Sequence, residues 1–155
     1  MNDRMIRITN NFIDWGNQNG VSMSPLKLQK LVYLYYARYY HLQGKLPFGE
    51  DRFEKWPKGP VLRELYELLK LFRTEKITEP LTDVRGKVIA FDVTGSTLFQ
   101  EVVQRYGRMT GNELVQLTHE GLPGVGAKTA WEKTPDMGGF LRFDDISEDG
   151  RNLFA

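Results

Sequence analysis

The 155-residue sequence contains no cysteine. That removes disulfides, thiolate metal sites and cysteine nucleophiles, and it is compatible with a reducing cytoplasm. Histidine is scarce: His41 and His119 form no His-x-x-x-His pair and sit in no Ser-His-Asp spacing, so metal and nucleophile templates fail together. Asp144-Asp145 and Glu148-Asp149 lack the alternating ligand spacing of a calcium loop and read as a solvated acidic tail. Long apolar runs are missing too. The longest, Leu31 to Ala37, falls far short of the roughly 20 residues that cross a bilayer, and MNDRMIRITNNF mixes charges and amides where a secretory signal carries an apolar core. Neither charge sign dominates. With 21 Lys and Arg against 20 Asp and Glu, a net +1 supplies no whole-protein field to gather nucleic acid or anionic lipid. The absences together point to a cytoplasmic protein that is not an enzyme, uses no cofactor or metal and has no membrane partner.

What is present suits one compact domain over residues 1–155, since 41% of the residues are hydrophobic and 12% aromatic. Helical spacing dominates. Met5, Ile8, Phe12 and Trp15 share a face of a first helix that ends near Gly16 to Gly20. In the next segment Ser24 can cap, Pro25 fits the first helical turn and Gly44 supplies a stop, with Leu28, Leu31, Val32, Tyr35, Tyr39 and Leu42 as the buried stripe. Lys45 to Pro60 reads as a turn-rich linker, and Val61 to about Thr74 as a third helix. Ile89, Phe91 and Val93 alternate with Ala90 and Asp92 after an Arg85-Gly86 turn, which predicts a short β-hairpin near residues 80–94. Ser96 to Tyr106 is a fourth helix, and Thr110-Gly111-Asn112-Glu113 is a capping box that opens a fifth. The expected class is mainly α, with five or six helices.

The phrase LPGVGAKTA, Leu122 to Ala130, resembles the turn of helix-hairpin-helix DNA-binding modules, in which a Gly-x-Gly turn offers N–H groups to a phosphate. Its support is poor. A helix starting near Ala127 would meet Pro135 within two turns, and from Gly111 onward four bases face eight acids, a net of −4 that repels phosphate. A glycine-rich surface loop is the plainer account, and a DNA-binding accessory protein using this loop is the alternative.

Two groups suggest protein contact instead. Tyr33, Tyr35, Tyr36, Tyr39 and Tyr40 are too many for one helix face: either the helix is buried on two sides, or the row of Tyr33, Tyr36 and Tyr40 faces a partner. Lys27, Lys30, Lys45, Lys55, Lys58 and Arg63 are either scattered solvated cations or a basic patch for an acidic partner.

The runs SPLKLQKLVYLYYARYYHLQGKLPF, FEKWPKGPVLRELYELLK, LTHEGLP and AWEK resemble the Panacea domain, also described as a SocA-like antitoxin domain. The residues that carry the likeness are Pro25, Lys27, Leu28, Gln29, Lys30 and Leu31, then Trp56, Gly59, Pro60, Val61 and Tyr66, and finally His119. The resemblance implies a helical, non-enzymatic antitoxin of bacterial or phage toxin–antitoxin pairs. Its expected partner is a toxin protein encoded by the adjacent gene and neutralised by direct contact. A homo-oligomer, or a phage or mobile-element regulator that binds a host protein, remains open beside it. The sequence departs from the family pattern where ten residues, Glu120 to Thr129, separate His119 from Ala130-Trp131, so this loop reads as an insertion that can tune partner choice. Candidate partner-binding residues are Tyr33, Tyr36, Tyr40, Lys27, Lys30, Trp56, Lys58, Arg63, Val125, Lys128 and Trp131.

Overall fold

The computed structural model describes residues 3–49, 52–72, 76–83, 85–88 and 96–155. Among them are α1 (Asp3–Asn19), α2 (Pro25–Gln43), β1 (Phe53–Trp56), β2 (Gly59–Leu62), α3 (Arg63–Leu69), α4 (Thr97–Tyr106), α5 (Gly111–Glu120), α6 (Ala130–Lys133) and α7 (Phe143–Asn152). The mainly helical class is as expected, with α6 and α7 added to the five helices that the sequence outlines.

Local chemistry sets the ends of α2. The Ser24 hydroxyl accepts from the Lys27 N–H at 3.1 Å, Pro25 opens the first turn, and Gly44 closes the helix in the left-handed conformation. Its middle is set by packing. Every residue from Lys27 to Ala37 is buried because α1, α3, α4, α5, α7 and β2 all lie against this one helix. Of the two readings open for the tyrosines, burial on two sides is the one found: Tyr33 and Tyr36 are as fully buried as Leu28 and Leu31, while Leu42, expected in the buried stripe, is corrected to 51% exposed. Around α2 the core gathers Phe12, Phe53, Phe99 and Leu114, with Phe12 and Phe99 rings 4.9 Å apart.

The β-hairpin lies elsewhere than expected. β1 and β2 pair antiparallel, Phe53 opposite Leu62 and Trp56 opposite Gly59, mostly inside the stretch that reads as a linker; Val61 and Leu62, expected to open the third helix, complete β2, so α3 begins at Arg63 and runs only to Leu69. The loop of residues 136–141 borders the outer edge of β1: the Lys55 N–H donates to the Gly139 carbonyl and the Leu141 N–H to that of Phe53. In residues 80–94 the described part is a turn at Arg85-Gly86 with a single bridge between Thr82 and Val88; residues 89–94 lie outside the described residues.

The acidic tail is also corrected. Phe143, Ile146, Gly150 and Leu153 recur at helical spacing, and α7 docks on α2 with Ile146, Asp149 and Gly150 buried. The crossing is close enough that a side chain at Gly150 would run into the Ala37 carbonyl. Asp149, 2% exposed, accepts from the Tyr33 hydroxyl at 2.5 Å and from the Ala130 N–H at 3.1 Å. Burial raises its carboxyl pKa to about 7 and pushes that of the Tyr33 phenol well above its usual value.

Candidate interaction surface

The first helical turns of α2 carry the Pro-Leu-Lys-Leu-Gln-Lys-Leu run, and the structure gives its polar members anchoring work. Lys27 Nζ donates to the Gly107 carbonyl at 2.5 Å, tying α2 to the α4–α5 turn. Gln29 grips the end of β2 from both sides: its amide donates to the Leu62 carbonyl at 3.0 Å and accepts the Leu62 N–H at 3.1 Å. Lys30 Nζ donates to the Pro60 carbonyl at 3.0 Å. Because the ammonium is buried, its pKa falls to about 7. For Lys27 the pKa is lowered, by burial first and then by the nearby Arg108. Lys27 and Lys30 are thus corrected from surface cations to buried ones, 4% and 0% exposed. Gly59 permits the arrangement. Its φ of 106° suits glycine, and a Cβ there would stand 2.6 Å from Lys30 Cε.

Lys58 stands in the hairpin turn, and Arg63, the first residue of α3, lies beside Trp56. Arg63 forms a two-point ion pair with Glu54, at 3.1 and 3.0 Å, and its guanidinium lies 5.3 Å from the Trp56 ring, which packs on Tyr66 at 4.8 Å. Between this turn, α2 and α3 runs a groove of about 450 Å³. Pro25, Gln29, Lys30, Trp56, Val61 and Tyr66, all singled out in the sequence, line it together with Leu26, Pro57, Lys58, Leu69 and Lys70. Its walls are mostly apolar, its three charged side chains are all lysines, and among the described residues no Asp or Glu lines it. Leu26, Pro57, Leu69 and Lys70 are the members that sequence reasoning missed. The spacing Val61, Leu65, Leu69 along one helical side was the available signal for Leu69.

Trp131 belongs to a neighbouring cluster. Its indole N–H donates to the Trp56 carbonyl at 2.7 Å, His119 stacks on the ring at 3.8 Å, and Lys55 Nζ lies 4.2 Å from the ring centre. Burial, and after it the Lys30 charge, lowers the His119 pKa, while the His119 carbonyl accepts from the Thr129 hydroxyl at the end of α5. Tyr33 and Tyr36 are buried and cannot form a partner-facing row; Tyr40 is half-buried, its ring edge-on to Phe143 at 6.0 Å. Val125, 37% exposed, and Lys128 lie in the loop of residues 121–129. Gly124 and Gly126 are exposed there with φ of 84° and 74°, and the helix that follows, α6, has four residues and starts only at Ala130. A DNA hairpin needs a full second helix to aim its dipole at the phosphate, and α6 is too short to do so.

No described helix is long and apolar enough to cross a membrane. No curated protein and no solved structure matches the chain. Residues 28–123 match the family described as "Antitoxin SocA-like, Panacea domain", a span that holds most of α2, the hairpin, α3, α4 and α5 and stops before Trp131. The signature residues that line the groove fall in that span, Pro25 apart, and the chain belongs to the SocA-like antitoxin family of Panacea domains.

Proposed function

We propose that this protein is the antitoxin of a toxin–antitoxin pair and that it neutralises a toxin protein, encoded by the adjacent gene, by binding it directly in the cytoplasm. One observation carries the reading. The residues that mark the family, instead of serving a reaction, hold the hairpin on α2 and leave an apolar groove with a lysine rim beside it. Apolar concave surface with a polar rim is what protein recognition uses. The fixed anchors Gln29, Lys30 and Gly59 keep the groove in shape without a ligand, which lowers the ordering cost of association. Trp56 and Tyr66 are the residue types that dominate binding energy at interfaces. The protein acts by occlusion and is not an enzyme.

Co-expression tests it. Cells that make the adjacent-gene toxin stop growing, cells that make both proteins grow, and the two proteins copurify through an affinity tag on either one. Rescue of growth with no recoverable complex overturns neutralisation by contact.

A further inference from the structure

We propose that the groove between α2, the hairpin turn and α3 receives a segment of the toxin that carries a bulky apolar side chain and, within a few residues of it, a carboxylate. This rests on the toxin-binding reading above and adds the chemistry of the segment. The apolar half follows from the walls, where Leu26, Pro57, Val61 and Leu69 surround a space of about 450 Å³, within the range of roughly 300–1,000 Å³ for pockets that enclose a ligand. Tyr66, 40% exposed, adds an aromatic wall beside them.

The acidic half follows from the charges. Lys58 and Lys70 stand at the groove and Lys30 reaches it from α2, with no lining acid among the described residues. Lys70 shares its charge with Glu67 at 2.6 Å, and Lys58 makes no ion pair among the described residues. The Lys30 ammonium has three protons to donate, and one hydrogen bond is described for it, to the Pro60 carbonyl. A carboxylate in the groove would give it an acceptor that favours its charged form, and a cationic segment would meet the exposed Lys58 and Lys70. Single-stranded nucleic acid also likes lysines, but it needs free aromatic faces on which to stack bases. Here the Trp56 ring is already in contact with Arg63 and Tyr66.

Peptide selection tests the chemistry without the toxin. A random 12-residue peptide library is displayed on phage and selected on the folded protein, with the Lys58→Glu, Lys70→Glu double variant as counter-target. The expected consensus is a Leu, Ile, Phe or Trp with an Asp or Glu within four residues. Synthetic peptides of that consensus should bind the double variant about tenfold more weakly and Lys30→Met several-fold more weakly, with Lys45→Glu within about twofold of the parent. Circular dichroism melts confirm that each variant is folded; both reversed charges are exposed, so the double variant should melt like the parent. A basic or purely apolar consensus, no enriched peptide, equal binding to the double variant, or tighter binding of a dT20 oligonucleotide than of any peptide overturns the proposal. Self-association blocked by Lys58→Glu, Lys70→Glu in light scattering would assign the groove to a second copy and overturn it as well. The same double variant separates the two readings in the co-expression experiment. If it still copurifies with the toxin, the groove chemistry fails and the antitoxin reading stands; if the parent protein binds no toxin while peptides still select as expected, the antitoxin reading fails, the toxin is overturned as the occupant, and only the groove's preference for an apolar, acidic segment stands.

Discussion

Helix α7 and the groove beside the hairpin invert what their compositions suggest. Five of the ten residues of α7 are charged, yet the helix docks on α2 through Ile146, Gly150 and a buried Asp149. The Trp-Pro-Lys-Gly-Pro-Val turn is rich in apolar residues, yet it helps form a groove open to solvent. The contrast separates two uses of a side chain. At α7 the polar group is satisfied inside, so it fixes how α7 sits on α2; at the groove, apolar surface remains for something else to cover. An acid is tolerated in the interior only because the Tyr33 hydroxyl and the Ala130 N–H converge on it.

The largest effect should come from breaking the buried side. Asp149→Ala strands the Tyr33 hydroxyl and the Ala130 N–H without a partner, and urea denaturation at pH 5 should show a loss of about 3 kcal/mol. A loss below about 1 kcal/mol would mean that the α2–α7 contact is held by its apolar residues alone.

pH sharpens the same contrast. Asp149, with a folded-state pKa of about 7 against an ordinary 3.8, keeps its proton in the folded state, so its contribution is complete below about pH 4 and is lost as pH rises to 7. Lys30, lowered to about 7 from 10.5, runs the other way: the folded state sheds the proton first, and stability is gained as pH rises from 7 to about 10. His119, lowered by burial, adds a smaller gain as pH rises through its own range. Two buried groups of opposite sign thus place a minimum near neutrality. Relative to the parent, Asp149→Asn should remove a fall on the order of 2 kcal/mol between pH 5 and pH 7. Lys30→Met should remove the rise above pH 7. Denaturant midpoints measured across pH for all three proteins check both signs.

Next in size, Gly59→Ala forces a Cβ against Lys30 Cε at an unfavourable φ and should cost about 1–2 kcal/mol while weakening peptide capture by the groove. The smallest effect belongs to the loop. Gly124→Asp with Gly126→Asp, both in open space, should leave DNA affinity unchanged; a large, salt-dependent loss would restore the DNA-binding alternative.

How much of this was legible follows from the range of each interaction. Ser24, Ser96 and the Thr110–Glu113 box act over three residues, so the starts of α2, α4 and α5 can be read directly. Trp56, Val61 and Tyr66 were identifiable as signature residues, but their groove was not, because it forms only when Gln29 and Lys30 bond to the hairpin some thirty residues away. The hairpin itself hides behind two prolines, and β1 is paired on its other edge by Gly139 and Leu141. Lysine is seldom buried, so nothing local marks Lys27, whose partner Gly107 lies 80 residues off. At α7 the signal was present: Phe143, Ile146, Gly150 and Leu153 hold helical spacing, and the weight of acidic residues obscured it.

The most direct measurement is titration calorimetry of the purified protein with the purified product of the adjacent toxin gene. Direct neutralisation predicts a saturable complex with a dissociation constant below about 1 μM, and the groove chemistry predicts that Lys58→Glu with Lys70→Glu weakens it about tenfold or more. A toxin that gives no heat, and stays separate in size-exclusion chromatography at tens of micromolar while growth is still rescued in cells, would contradict it.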